Sequence, residues 1–175
     1  MSTGQRVLLL GMMGSGKTSV GTEASRRTGW PYRDNDEIVA EIAGVDTPTL
    51  LAREGIDALR AAESAALARV VADAGPLIAG VAAGVVERPA DLAVLHATDG
   101  LVVYLHAPLE VLVERVGDGR GRPFLQPDPA AALARLLGNR EQLYREVADL
   151  VVDTSSGAAS DHADQVLAAA RDRWP

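Results

Sequence analysis

The residues Gly11-Met12-Met13-Gly14-Ser15-Gly16-Lys17-Thr18 have the types and spacing needed to hold a polyphosphate. They fit the pattern G-x-x-x-x-G-K-[ST], in which glycines let backbone N–H groups turn inward toward phosphate oxygens. Lys17 then reaches the β- and γ-phosphates as a compact point charge, a role that the planar, bulkier Arg fits poorly. Thr18 would supply its hydroxyl to Mg²⁺, and Ser19 follows on the same turn. Composition singles out the same spot. Of the 17 basic residues 16 are Arg, and Lys17 is the one Lys.

A second cluster, Arg33-Asp34-Asn35-Asp36, follows a short apolar run. In open α/β sheets, ligands bind outside the carboxyl ends of strands. Two acids two residues apart on an extended segment point the same way. Asp34 and Asp36 can therefore both face the magnesium and an acceptor. One holds an Mg²⁺-bound water, while the other accepts the proton of an attacking hydroxyl. An Asx turn capping the helix that begins near Glu37 would account for one of the two acids and not both.

The elements that must position these residues alternate along the chain. Gln5 to Leu10 reads as a buried parallel strand and runs into the glycine loop. A helix follows to about Arg27, with Gly29 past its end. Further strands are expected over Trp30 to Arg33, Pro76 to Val81, Leu101 to His106 and Leu150 to Asp153. Helices are expected over Glu37 to Ala43, Pro48 to Arg53, Ile56 to Asp73, Pro89 to Ala97, Pro108 to Val116, and Pro129 to Val147. Thr47 reads as the cap of the helix at Pro48, and Ser160 or Asp161 as the cap of a final helix. Gly117 to Pro129 is a Gly-, Pro- and Arg-rich connection. Five strands alternating with helices imply a parallel sheet with helices on both faces.

Composition narrows the function classes. The 175 residues suggest a single domain spanning 1–175. The formal net charge of −7 opposes broad nucleic-acid binding. With no cysteine, disulfides, Cys–zinc sites and thiol catalysis are excluded, and His96, His106 and His162 share no metal-ligand spacing. The longest weakly polar run, Ala74 to Val86, is too short to span a bilayer. Val7 to Met13 lacks a cleavage site and enters the glycine loop directly, so a cytoplasmic protein with no membrane or nucleic-acid partner is expected. No Asn-Lys-x-Asp base-reading motif and no LSGGQ signature occur, which argues against a GTPase and a transporter-type ATPase. A small-molecule kinase, or a nucleotide-binding protein that has lost chemistry, remains.

Taken together, GMMGSGKTSVG, Asp34-x-Asp36, Glu54-Gly55-x-x-x-Leu59-Arg60-x-x-Glu63, Arg122-Pro123, Arg140-x-x-x-Tyr144-x-x-x-Ala148 and Val152-Asp153-Thr154 resemble the shikimate kinase family over nearly the whole chain. The resemblance implies a three-layer P-loop kinase fold with a mobile lid at about 117–128 and a substrate-binding segment at about 34–62. It implies ATP and Mg²⁺ as cofactors, a small-molecule substrate, and a chain acting as a monomer. ATP is expected against Gly11, Met12, Met13, Gly14, Ser15, Gly16, Lys17, Thr18 and Ser19, with Arg115 stacking on adenine. Thr18 and Asp34 match the metal-side residues, and Asp36 the acid that binds the accepting hydroxyl. Arg60 and Arg140 match arginines that hold a substrate carboxylate, Arg122 the lid arginine that closes over the phosphates, and Gly80 a substrate-loop glycine.

The acceptor side departs from the family pattern. Ala79-Gly80-Val81-Ala82-Ala83-Gly84 stands where three consecutive glycines are usual, and the branched Val81 would narrow the pocket or forbid a positive φ. Leu51 and Leu59 replace two pocket phenylalanines, and no proline follows Arg140. Shikimate or a closely similar hydroxy acid is the expected acceptor. A gluconate-like sugar acid, a cyclitol, and a non-catalytic nucleotide-binding role are the alternatives.

Overall fold

The computed structural model describes residues 4–175. Strand β1, Arg6–Leu10, runs through the centre and is buried along its whole length. Helix α1, Lys17–Thr28, follows the glycine loop. Next come β2, Tyr32–Arg33, and α2, Asn35–Ala43. Helix α3, Thr47–Ala72, leads to β3, Leu77–Gly80. Helix α4, Pro89–Ala97, precedes β4, Leu101–His106, and α5, Leu109–Val116. The chain closes with α6, Pro129–Val147, β5, Leu150–Asp153, and α7, Ala159–Arg173. Short 3₁₀ turns cover Val85–Glu87 and Pro123–Leu125.

The five strands form one parallel sheet in the order β2-β3-β1-β4-β5. Side-chain alternation along β1 divides the core. Val7 and Leu9 pack with α1 and α7 on one face, while Leu8 and Leu10 pack with α2 to α6 on the other. The expected α/β, three-layer architecture, a five-stranded parallel sheet with helices on both faces, is therefore the one observed. Among the described residues no helix is long and apolar enough to cross a membrane.

Local boundaries differ for identifiable reasons. Strand β2 is only two residues long: the Pro31 carbonyl accepts the Ile78 N–H at 2.9 Å, but proline has no N–H with which to extend the ladder. The two helices expected around Gly55 form one element, kinked where Gly55 takes φ 83°. Asp46, not Thr47, caps it, since its carboxylate accepts the Thr49 N–H at 2.8 Å. Helix α7 starts two residues early, after Ala158, whose N–H donates to the Asp161 carboxylate.

Tyr32 links the sheet edge to the site described below, and two glycines make room for it. A Cβ on Gly21 would lie 2.2 Å from the Tyr32 ring, and one on Gly80 would lie 2.6 Å from its hydroxyl. Gly21→Ala should therefore cost about 1–3 kcal/mol of stability, because the anchored ring has little room to retreat. Urea unfolding should show a lower midpoint with an unchanged m-value. An unshifted midpoint would mean that Tyr32 is not held.

Candidate active site

The loop between β1 and α1 turns on glycines in the left-handed region: Gly11, Gly14 and Gly16 have φ of 144°, 83° and 96°. At Gly11 a Cβ would meet the Leu105 carbonyl at 2.6 Å, so side chains are excluded for space as well as for conformation. Lys17 folds back across this loop and donates to the carbonyls of Gly11 at 2.7 Å and Met12 at 3.0 Å. Desolvation pulls its ammonium down to about 8, with Asp34 and Asp36 opposing the shift. The Ser15 hydroxyl is buried with no hydrogen-bond partner. Glycines in the left-handed region, a helix N-terminus and a desolvated lysine suit this loop to a polyanion.

Asp34 sits at the junction of β2 and α2. One carboxylate oxygen caps α2 by accepting the Asp36 N–H at 3.0 Å. The other accepts the hydroxyls of Thr18 at 3.2 Å and Tyr32 at 3.1 Å. Asp34 thus combines the cap and the cleft-facing group. Burial and the adjacent Asp34 charge push the Tyr32 phenol well above its ordinary value, so it stays a neutral donor. Asp36 lies in the first turn of α2 rather than on extended chain, yet it lines the same cleft, exposed, with Thr47 as a hydroxyl donor at 3.3 Å. Thr18 and Asp34 form the hard-oxygen pair that suits Mg²⁺, which takes few protein ligands and completes its shell with phosphate and water. Among the described residues no group of three or more His, Asp or Glu converges to hold a metal by itself.

The cleft is also lined by two arginines, each with its own acid. Arg60, on α3, donates to Glu63 at 2.6 Å. Its guanidinium lies against Gly84, where a Cβ would approach to 2.5 Å, and sits 5.5 Å from the Phe124 ring. Burial raises the Glu63 carboxyl and Arg60 opposes the rise. Arg140, on α6, is buried and bonds Glu87 at 2.7 and 2.9 Å. Arg122 lines the cleft from the Gly-rich connection and has no carboxylate partner among the described residues. Arg115 reaches the carbonyls of Gly14, at 3.2 Å, and of Thr154.

These groups share one cleft of about 940 Å³. Of the residues singled out by sequence, Gly11 and Met12 do not line it. The Gly11 carbonyl holds Lys17, and the Met12 side chain lies in the core beneath. Gly80 lines the cleft and makes space for Tyr32, whereas Gly84 is the glycine on which an arginine rests. The branch at Val81 forbids nothing, since no described residue other than glycine has a positive φ. Leu59 is fully buried in the core, while Leu51 and Phe124 give the cleft its apolar wall. Sequence reasoning missed Phe124, Gly84, Glu87 and His162. None of them belongs to a local pattern, and each is brought to the cleft by the fold.

A family model described as shikimate kinase matches residues 13–171. The chain is 38% identical over 168 residues to the shikimate kinase of Halorhodospira halophila, covering 95% of this chain and 94% of that protein. It is 42% identical over 152 residues to the shikimate kinase of Aromatoleum aromaticum, covering 86% of each. Among solved structures, the shikimate kinase from Acinetobacter baumannii in complex with shikimate superposes with a TM-score of 0.87. Its identity is 32%, and the match covers 98% of this chain and 96% of that one.

The lowered value at Lys17 has a measurable consequence. An anion is met by the charged ammonium, and free Lys17 loses its proton near pH 8 instead of near 10.5. Affinity for a non-hydrolysable ATP analogue should therefore fall about tenfold between pH 7 and pH 9, because the binding form is depleted as pH rises through 8. In Lys17→Met that slope should vanish along with most of the affinity. Calorimetric titration across this range checks both, and a flat wild-type profile would contradict the desolvated ammonium.

Proposed function

The chain belongs to the shikimate kinase family, and we propose that it transfers the γ-phosphate of ATP to a hydroxyl of shikimate, a step of aromatic amino acid biosynthesis. One observation carries this reading: a polyphosphate loop, Asp36 and a pair of acid-anchored arginines line one cleft. Arg forks give two parallel hydrogen bonds to a carboxylate, so the acceptor carries one. A neutral cyclitol would leave the guanidinium edges that Glu63 and Glu87 do not engage without a matching acceptor, which is costly when they are desolvated.

The steps follow from the residues present. Backbone N–H groups of the loop and Lys17 hold the phosphates, and Thr18 and Asp34 would hold Mg²⁺ on the same side. The magnesium ion, when bound, neutralises charge on the transferring phosphates. Asp36 accepts the proton of the acceptor hydroxyl as its oxygen bonds to the γ-phosphorus. The bond to the bridging oxygen breaks, and ADP leaves with that electron pair. Arg122, on a lid spanning about 117–128, closes over the phosphates, so its charge is delivered only when water is excluded. Arg115, held between Gly14 and Thr154, supplies a cationic face to the base. Residues 34–62 carry Asp34, Asp36, Leu51 and Arg60, which supports their assignment as the acceptor-binding segment.

Coupled ADP release with shikimate tests the assignment. Asp36→Asn keeps the shape and loses the proton acceptor, so kcat should fall by roughly 10²–10⁴ with the KM for ATP little changed. Arg60→Ala and Arg140→Ala should each weaken shikimate binding by about 2–5 kcal/mol. Near-normal kcat in Asp36→Asn would remove the base, and unaffected arginine variants would remove the carboxylate clamp.

A further inference from the structure

Arg140 reaches the cleft already engaged. Its Nε donates to Oε2 of Glu87 at 2.9 Å, and its Nη2 lies 2.7 Å from the same oxygen in an ion pair. The arginine side chain is 4% exposed and that of Glu87 33%, so the pair straddles the cleft wall. A guanidinium has two edges able to make paired hydrogen bonds: the side-on edge of Nε with one terminal nitrogen, and the end-on edge of both terminal nitrogens. Glu87 fills the first. The second carries no carboxylate partner among the described residues, with the Tyr144 hydroxyl also in hydrogen-bonding reach of Arg140, and its two nitrogens form a fork for one incoming carboxylate.

Glu87 is itself rigidly placed. It ends the 3₁₀ turn Val85–Glu87, whose two valines are buried, and its N–H donates to the Gly84 carbonyl at 3.2 Å. Gly84 is also where the Arg60 guanidinium rests. The segment from Gly84 to Glu87 thus sets both arginines, one by steric allowance and one by a carboxylate.

We infer that Glu87 is a positioning residue that determines acceptor specificity: it occupies the side-on edge of Arg140 and presents the end-on edge to the acceptor's carboxylate. This rests on the carboxylate-clamp reading above. A long side chain held in its binding rotamer before the ligand arrives loses less freedom on binding. For orienting Arg140 the role is one of reach and hydrogen bonding, because an amide oxygen at the same place accepts the same Nε bond; the Glu87 charge, which offsets that of the buried guanidinium, bears on stability.

Two substitutions separate reach from charge. Glu87→Gln removes the charge and keeps the oxygen, so the KM for shikimate should stay within about threefold of wild type. Glu87→Asp keeps the charge and withdraws the oxygen by one methylene, so the KM for shikimate should rise about tenfold. In both variants kcat and the KM for ATP should change by less than about threefold. With the carboxamide of shikimate as acceptor, the Gln and Asp variants should be indistinguishable from wild type. Coupled ADP release gives all of these values, and circular dichroism confirms folding. An unchanged KM in Glu87→Asp, or an equal rise in Glu87→Gln, would overturn the inference. Arg140→Ala, assayed beside them, separates two kinds of failure. If it too leaves the shikimate KM unchanged, the clamp reading fails. If it raises that KM while Glu87→Asp does not, only the role of Glu87 fails.

Discussion

The carboxylate of Asp34 is shared between a helix end and a loop, and the geometry of the cleft depends on that sharing. One oxygen starts α2 by accepting the Asp36 N–H, which places Asp36 in the first helical turn. The other accepts from Thr18, the residue after the loop lysine. The acceptor side and the phosphate side are thereby registered to each other through one group. Tyr32 donates to that second oxygen, and its ring and hydroxyl fit only because Gly21 and Gly80 have no Cβ. A short edge strand of two residues suffices here because its work is to deliver Tyr32 and Asp34, not to add ladder hydrogen bonds.

Charge in the cleft follows the same economy. Arg60 and Arg140 are each matched by one acid, which lets them remain largely buried without an uncompensated charge. Lys17 has no carboxylate in direct contact and leans on two carbonyls, so desolvation dominates its titration. Arg122 likewise has no acidic partner among the described residues. Lys17 and Arg122 are thus left without a carboxylate in contact among the described residues, while Arg60 and Arg140 are paired. That asymmetry suits a polyanion at one end and a singly charged acid at the other.

The nucleotide half was legible in the sequence because its signals are local. A strand, a glycine loop and the one lysine of the chain lie within thirteen contiguous residues, and all five strands fell where hydrophobic runs placed them. Asp34 and Asp36 were found by their spacing, although the parity of extended chain is not what brings them together. The acceptor half was less legible. Glu87 and Arg140 are 53 residues apart, and nothing near either residue announces the other. Gly84 serves a side chain on α3, Phe124 arrives from the connection between α5 and α6, and Leu59 turns inward by helical phase, none of which a strand-by-strand reading resolves. Gly80 lines the cleft, and the space it leaves is filled by Tyr32.

The central claim is that this cleft selects a hydroxy acid by its carboxylate. Coupled ADP release by the unmodified protein, with shikimate, its carboxamide and a neutral cyclitol at equal concentrations, tests it directly. Shikimate should be turned over, with kcat/KM for the carboxamide and the cyclitol lower by about 10²-fold or more. Turnover of the cyclitol as efficient as that of shikimate would contradict it.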